Sequence, residues 1–334
     1  MSGDQGPLLA VSDLKVTFET REGSVEAIRG VNLTVNRGEV LALVGESGSG
    51  KTVSMLAAMG LLPPSARVSG SVRLNGRELV GLSRAGFRHL RGSEIAMIFQ
   101  DPMTSLNPVL PVGLQVTEAI SAHQPGLSRK ARRAAALEVL DEVAIPRAAE
   151  RMKSYPFEFS GGMLQRVMIA IALANDPAML VADECTTALD VTIQAQILEL
   201  LRRTQSERGI GVVLITHDLG IVAGLAGRVS VMYAGQVVEE GQVDDIFYKP
   251  RHPYTRGLLS CLPRIDRPRK AFTTIPGNPP SLINLPSGCA FHPRCPHAQD
   301  VCRTISPELL SHNGASVACH LSEELSLLET ENSS

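Results

Sequence analysis

A glycine-rich stretch between two short elements constrains this chain more than any other feature of its sequence. The stretch is Gly45-Glu46-Ser47-Gly48-Ser49-Gly50-Lys51-Thr52, and it fits the whole G-x-x-x-x-G-K-[ST] pattern of a phosphate-binding loop. Residues 40–44 form an apolar run typical of a buried strand, and residues 52–58 can open a helix. This order predicts a loop that binds the phosphates of a nucleoside triphosphate, rather than a turn that binds nothing.

The residue types in the loop explain the predicted chemistry. Glycines let successive backbone N–H groups turn towards phosphate oxygens with no Cβ in the way. Lys51 brings a positive charge to the β- and γ-phosphates, and the hydroxyl of Thr52 can bind Mg²⁺. The N-terminus of the following helix adds a partial positive charge.

Length and composition limit the other possibilities. With 334 residues the chain can form one large domain with an appendage, or two domains. The net charge of −2, the absence of tryptophan and an aromatic content of 4% argue against nucleic acid as a partner. The longest apolar run, residues 167–174, is too short to span a bilayer, and the first seven residues are polar. We therefore expect a soluble cytoplasmic protein that reaches a membrane only through partners.

Two carboxylates follow a second apolar strand. Residues 179–182 lead directly into Asp183 and Glu184. Asp183 is placed to hold Mg²⁺, as at the second strand of phosphate-loop NTPases. Glu184 is a candidate general base for an attacking water. Such a pair alone is commonly a solvated turn, but after a phosphate loop it indicates hydrolysis.

Other candidate residues have two interpretations each. Gln100 and His217 follow apolar strands, so they are either ordinary polar residues or sensors of the γ-phosphate. Phe18 lies in a strand, and the residues alone favour the core over stacking on adenine. Ser160-Gly161-Gly162 opens a helix, which is either a plain cap or a second anion-binding element. Asp190 precedes a helix predicted over residues 191–203.

The ordered set of motifs resembles the nucleotide-binding subunit of ABC transporters, over roughly residues 8–260. The resemblance implies an α/β phosphate-loop ATPase fold: a mainly parallel sheet, an antiparallel β edge and a helical subdomain at about 101–164. In this family two subunits dock head to tail around ATP, so Ser160, Gly161 and Gly162 are expected to act on the partner's nucleotide. The further roles that it implies are catalysis by Glu184, Gln100 and His217, Mg²⁺ binding by Thr52, Gln100 and Asp183, and ATP binding by residues 45–52, Phe18 and Asp190.

A narrower resemblance covers the end of the chain. Residues 250–255, 275–281 and 288–296 are similar to the ATPases of oligopeptide and dipeptide importers, whose relatives also import nickel and glutathione. We therefore divide the chain into an ABC domain, residues 1–260, and a cysteine-rich region, residues 261–334. Met163 after Ser-Gly-Gly is similar to one of the two ATPase types in these importers, which implies a non-identical ATPase partner.

The implied function is to energise peptide import by ATP hydrolysis. The chain would do so as a peripheral subunit on the cytoplasmic face of the inner membrane. The implied assembly adds two integral membrane permease subunits and an extracytoplasmic substrate-binding protein, with no nucleic acid. The alternative is a soluble ABC ATPase acting on ribosomes or DNA. A phosphate-loop kinase would leave Ser160-Gly161-Gly162 unexplained.

Four cysteines crowd the last fifth of the chain with the spacing C-x₅-C-x₆-C-x₁₆-C: Cys289, Cys295, Cys302 and Cys319. Four thiolates suit an iron–sulfur cluster or zinc, but zinc sites usually contain close C-x₂₋₄-C pairs. The peptide-importer resemblance implies a structural [4Fe–4S] cluster. The alternative is zinc, and in a zinc site one of the nearby histidines can replace a cysteine as ligand: His292, His297 or His320. Unligated thiols are the third possibility.

Cys185 departs from the family pattern, which has proline after the catalytic glutamate. Loss of proline would loosen the geometry of Glu184 or leave a thiol open to oxidation. The favoured interpretation is an inert, buried cysteine. Peptides are the substrate that the resemblance favours, but nickel and glutathione stay open, because selectivity in an importer lies mostly in other subunits.

Overall fold

A computed structural model of the chain describes residues 6–21, 23–187, 189–262, 275–312 and 314–324. The strands in these residues are β1 (Leu9–Thr20), β2 (Gly23–Val35), β3 (Val40–Val44), β4 (Ala66–Leu74), β5 (Arg77–Glu78), β6 (Ile95–Ile98), β7 (Met179–Asp183), β8 (Gly211–Thr216), β9 (Arg228–Tyr233), β10 (Gln236–Gln242), β11 (Leu310–His312) and β12 (Ala315–Val317). The α-helices are α1 (Lys51–Ala58), α2 (Arg84–Leu90), α3 (Pro102–Ser105), α4 (Val112–His123), α5 (Arg129–Glu142), α6 (Ala148–Arg151), α7 (Gly161–Leu173), α8 (Val191–Arg208), α9 (Leu219–Leu225), α10 (Val243–Tyr248), α11 (Pro253–Ser260) and α12 (Asp300–Thr304).

The chain forms two compact units. The first unit contains residues 1–8, 35–39 and 81–214, and the second contains residues 9–34, 40–80 and 215–334. The chain passes from the first unit to the second near the end of β8.

The first unit combines parallel strands with a group of helices. Strands β6 and β7 pair in parallel, from Ile95 opposite Met179 to Ile98 opposite Ala182. All five residues of β7 are buried, as expected for a parallel strand covered on both faces. Helices α4, α5 and α7 pack against one another through apolar faces that include Val116, Leu140 and Leu164. Helices α4 and α5 lie in the part of the chain for which a helical subdomain is predicted, about 101–164, whereas α7 runs past its predicted end.

The second unit contains two sheets. One is antiparallel, in the order β2-β1-β4-β5. The other has the order β11-β12-β10-β9-β3, in which β3 and β9 are parallel and the remaining pairs are antiparallel. The predicted antiparallel edge is therefore present, and within this unit the sheet that contains β3 has both parallel and antiparallel pairs. The added antiparallel strands come from the last part of the chain, where the sequence analysis predicts no strands.

Local signals in the sequence account for several element boundaries. The Asn75-Gly76 turn joins β4 to β5 with positive φ at both residues, 49° and 77°, as a two-residue hairpin turn requires. Ser128 caps α5, its Oγ accepting from the backbone N–H of Ala131 at 3.2 Å. Helix α8 extends five residues past its predicted end and stops where Gly209 takes a left-handed φ of 62°.

No helix in the described ranges is both long and apolar enough to cross a membrane.

Candidate nucleotide site and cysteine-rich region

The phosphate loop lies between β3 and α1, as the sequence predicts. Gly45 and Gly50 adopt φ values of 149° and 105°, which side-chain-bearing residues rarely adopt. A Cβ on Gly45 would lie 2.2 Å from the carbonyl oxygen of Met232, and one on Gly50 would lie 2.6 Å from Cδ1 of Ile28. Glycine is therefore required at both positions by conformation and by space.

Lys51 lies across the loop rather than in solvent. Its side chain is buried, and Nζ donates to the carbonyl oxygens of Gly45 at 2.8 Å and Glu46 at 2.9 Å. Because Lys51 is also the first residue of α1, its ammonium and the N-terminal N–H groups of the helix lie at one place. This arrangement concentrates positive charge where a phosphate-binding loop needs it.

Glu46 is held by two residues from the C-terminal half of the chain. The backbone N–H of Glu46 donates to Oη of Tyr254 at 2.7 Å. Arg294 donates to both carboxylate oxygens of Glu46, from Nη1 at 2.6 Å and from Nη2 at 3.0 Å. The Glu46 carboxylate raises the pKa of Arg294 above its usual value, so this bidentate pair stays ionised. No role is predicted for Tyr254 or Arg294 from the sequence, because their spacing from the loop carries no signal.

The predicted catalytic carboxylates lie in the first unit. Asp183 ends β7 and is only 6% exposed, and Glu184 follows with a left-handed φ of 43°. Nε2 of Gln100 donates to Oε2 of Glu184 at 3.0 Å, and Oγ1 of Thr187 donates to the same oxygen at 3.5 Å. The structure thus brings together Gln100 and Glu184, which are 84 residues apart in the sequence.

Cys185 is 2% exposed, and burial raises the pKa of its thiol to about 12. The thiol is therefore neutral near pH 7, in agreement with an inert, buried cysteine. A proline at this position would favour extended backbone at residue 184. Cysteine is compatible with the left-handed conformation that Glu184 adopts.

The Ser-Gly-Gly element forms the start of α7. Oγ of Ser160 accepts from the backbone N–H of Met163 at 3.4 Å, and Oδ1 of Asp190 caps α8 by accepting from Ile193 N at 2.9 Å. The two helix starts are packed together, since a Cβ on Gly162 would lie 2.6 Å from Cγ2 of Ile193. A Cβ on Gly161 would meet only Leu189, at 3.9 Å. Gly162 is therefore needed for packing, whereas Gly161 is not.

The remaining predicted residues of the nucleotide site lie in the second unit. His217 follows β8 directly and is exposed. Phe18 is half-buried near the end of β1, opposite Ala66 of β4. Phe18 is therefore not a core residue, contrary to the preference drawn from the residues alone.

The four clustered cysteines surround one small cavity, which is also lined by His252, Phe291, His292 and His320. None of these cysteines forms a disulfide. The backbone N–H of Cys289 donates to the carbonyl oxygen of Cys302 at 2.8 Å, which fixes the two segments side by side. His297 is not among the residues lining the cavity.

Burial raises the pKa of three of these thiols: Cys289, Cys295 and Cys319, the last to about 11. Across the described ranges, no group of three or more His, Cys, Asp or Glu side chains is placed to hold a metal ion. The four thiols therefore share a cavity, but within the described residues their side chains are not arranged as a metal-binding group.

Comparison with known proteins identifies the family. Residues 28–187 match the ABC transporter family, and residues 238–302 match the C-terminal region of oligopeptide/dipeptide transporters. The oligopeptide transport ATP-binding protein OppD of Salmonella typhimurium is 51% identical over 300 residues, which cover 90% of this chain and 89% of the relative. This chain belongs to the ABC transporter family. The dipeptide transport ATP-binding protein DppD of Bacillus subtilis is 49% identical over 320 residues, with 95% of each chain covered.

Solved structures agree with this membership. The ATP-binding cassette MJ0796, described as a dimer in a post-hydrolysis state bound to ADP and Pi, matches with a TM-score of 0.63 and 29% identity. The match covers 70% of this ABC transporter chain and 98% of the cassette. CbiO1 from Clostridium perfringens, part of the ABC transporter complex cbiONQ, matches with a TM-score of 0.62 and 30% identity over 73% of this chain and 91% of its own. The predicted ABC ATPase fold is confirmed.

Proposed function

We propose that this chain is the ATP-hydrolysing subunit of a membrane ABC importer for dipeptides or oligopeptides. The proposal rests on one observation: the same chain contains a complete phosphate loop and a C-terminal region that matches peptide transporters. Relatives named as oligopeptide and dipeptide transport ATP-binding proteins, about half identical over nearly the whole chain, support the same substrate class.

Each residue of the nucleotide site has a proposed task. Lys51 and the backbone of residues 45–52 bind the phosphates of ATP, and Phe18 stacks on the adenine. Thr52, Gln100 and Asp183 have the oxygen ligands that Mg²⁺ prefers and would hold it, and the ion would supply charge neutralisation for phosphoryl transfer. Glu184 accepts the proton of the attacking water, and its hydrogen bond to Gln100 orients the carboxylate. His217, at the end of its strand, senses the γ-phosphate.

The Ser-Gly-Gly element acts on a nucleotide held by a partner. Ser160, Gly161 and Gly162 lie at the N-terminus of a thirteen-residue helix, where N–H groups attract phosphate. Asp190 caps the neighbouring helix, whose Ile193 packs on Gly162. The dimeric state given for MJ0796 is consistent with such an arrangement. We assign the partner role to a second, non-identical ABC ATPase. The groups that stabilise charge during hydrolysis are then complete only when the two subunits meet.

The assembly places the chain on the cytoplasmic face of the membrane as a peripheral subunit. Two integral membrane permease subunits and an extracytoplasmic substrate-binding protein complete the importer. The domain division at residue 260, with its helical subdomain at about 101–164, belongs to the same proposal. A role on ribosomes or DNA is not favoured, because the named relatives are transport proteins.

For the C-terminal region we propose a [4Fe–4S] cluster, with Cys289, Cys295, Cys302 and Cys319 as ligands and zinc as the alternative. The four thiols share one cavity and form no disulfides. Such a cluster would supply four iron–thiolate bonds that staple a segment poor in apolar residues. The test is anaerobic purification followed by assays of iron, sulfide and zinc on one sample. About four irons per chain support the cluster, stoichiometric zinc replaces it, and the absence of both metals refutes ligation.

The function is tested by transport in the native host. Deletion of the gene should abolish uptake of a radiolabelled di- or oligopeptide, and the wild-type gene should restore it. Lys51→Ala, which removes the charge from the phosphate loop, should not restore uptake. Matched assays with labelled nickel and glutathione identify the substrate class. Unchanged peptide uptake in the deletion strain would contradict peptide import.

A further inference from the structure

The phosphate loop is attached to the cysteine-rich region through Arg294. The guanidinium of Arg294 is almost fully buried and donates to both carboxylate oxygens of Glu46, at 2.6 and 3.0 Å. It also donates to the carbonyl oxygen of Pro276 at 2.9 Å and to Oη of Tyr233 at 3.4 Å. This side chain therefore connects the loop, through Glu46, to Pro276 and Tyr233 in the second half of the chain.

The backbone of Glu46 is fixed as well. Oη of Tyr254, whose side chain is fully buried, accepts from the N–H of Glu46 at 2.7 Å. Tyr254 is itself held at the start of α11, because its backbone N–H donates to Nδ1 of His252 at 3.0 Å. The buried carboxylate of Glu239 in turn accepts from the N–H of His252 at 3.1 Å. The second residue of the loop is thus fixed by a continuous set of buried hydrogen bonds.

The charge of Glu46 makes this attachment relevant to nucleotide binding. Glu46 is an acidic side chain within a loop whose task is to bind the negative phosphates of ATP. Paired with Arg294 it is neutralised, with both carboxylate oxygens turned to the guanidinium. Unpaired, it would repel phosphate at short range in a partly buried place, where Coulomb energies are larger than in water.

Arg294 owes its position to the turn between two of the cysteines. The N–H of His292 donates to the carbonyl oxygen of Cys289 at 3.0 Å, and the N–H of Arg294 donates to that of Phe291 at 3.0 Å. The ring of Phe291 packs against Tyr233 and Tyr254, with centroid separations of 5.3 and 5.4 Å. The guanidinium of Arg294 therefore reaches the phosphate loop only when this turn is folded.

We propose that Arg294 is a positioning residue for ATP: by pairing with Glu46 it neutralises and shapes the phosphate loop, so that nucleotide affinity depends on the folded state of the cysteine-bearing turn. The inference rests on the proposed function, in which this loop binds ATP. It adds that the C-terminal region controls the nucleotide site and is not only an appendage.

The test is the dissociation constant for ATP, measured by titration calorimetry on the full chain. Arg294→Gln should weaken ATP binding about tenfold, since breaking a buried charge pair leaves the other charge unpaired. Arg294→Lys keeps the charge but not the two-pronged fork, and should give an intermediate value. The double variant Glu46→Gln with Arg294→Gln should bind ATP more tightly than Arg294→Gln alone, because the unpaired carboxylate is gone. Arg202→Gln breaks an exposed pair with Glu199, 2.9 Å long, and serves as the control with unchanged affinity.

A purely structural role for Arg294 predicts a different set of results. In that case Arg294→Gln would lower the midpoint of thermal unfolding without nucleotide, while its ATP affinity would stay at the wild-type value. Adding Glu46→Gln to Arg294→Gln would then not tighten ATP binding. Either result overturns the inference. If Arg294→Gln does not fold, Arg294→Lys carries the same comparison. Lys51→Ala separates the two proposals: wild-type ATP affinity in that variant contradicts the proposed function, whereas loss of affinity there with no effect at Arg294 contradicts only the inference.

Discussion

Two adjacent glycines at the start of α7 allow packing to be separated from nucleotide chemistry. A methyl group at residue 162 would lie 2.6 Å from Cγ2 of Ile193, a stiff β-branched side chain. Overpacking of this kind costs ~1–3 kcal/mol, and the better helix propensity of alanine returns ~1 kcal/mol. Gly162→Ala should therefore lower the free energy of unfolding by up to ~2 kcal/mol. At residue 161 the methyl group would meet only Leu189 at 3.9 Å, so Gly161→Ala should be neutral or stabilising.

The assay compares thermal unfolding with ATP hydrolysis for both variants. At about 2.1 cal/mol/K of unfolding entropy per residue, each kcal/mol shifts the midpoint of a 334-residue chain by about 1.4 °C, so Gly162→Ala should melt up to ~3 °C below Gly161→Ala. Both variants should lose at least ~90% of the ATPase rate in the assembled transporter. The methyl group at residue 161 lies at the helix start that binds the partner's phosphates, and the one at residue 162 shifts that helix start away from Ile193. Wild-type hydrolysis by Gly161→Ala would refute the assignment of this helix start to a nucleotide.

Two further predictions follow from burial. The thiol of Cys185, whose pKa burial raises to about 12, should resist iodoacetamide at pH 8 in the native protein, whereas the exposed Cys261 should be alkylated; rapid labelling of Cys185, detected by mass spectrometry, would contradict its buried position. Burial lowers the pKa of His252 to about 3. Below pH ~6.5 the unfolded chain therefore takes up a proton that the folded chain does not. The free energy of unfolding should then fall by ~1.4 kcal/mol for each unit by which the pH is lowered. Urea unfolding between pH 7 and 5 should show this slope, and His252→Asn should reduce it; an equal slope in both would contradict the prediction.

Local patterns in the sequence predict much of this fold. The phosphate loop, the Asn75-Gly76 hairpin and the helix capped by Ser128 all lie where short-range signals place them. The strand before Asp183 is fully buried, as its apolar run predicts. These features depend on neighbouring residues, so one sequence is enough to find them.

Contacts between distant segments are not predictable in the same way. The pair of Glu46 and Arg294 joins residues 248 positions apart, and neither residue type nor spacing marks it. The left-handed conformation of Glu184 also gives no signal, since glutamate rarely adopts it. Strands β11 and β12 are not predictable from local patterns either, because they depend on pairing with a distant segment: β12 pairs with β10, and β11 pairs with β12.

The central claim, that this ABC transporter chain hydrolyses ATP with Glu184 as the base, has one direct test. Glu184→Gln keeps the size of the side chain and an oxygen acceptor for Gln100, but removes the proton acceptor. Binding of labelled ATP and release of phosphate should be measured on the same sample of assembled transporter. ATP affinity should stay close to that of the wild type, and phosphate release should be at least ~100-fold slower. Phosphate release at the wild-type rate, or loss of ATP binding in this variant, would contradict it.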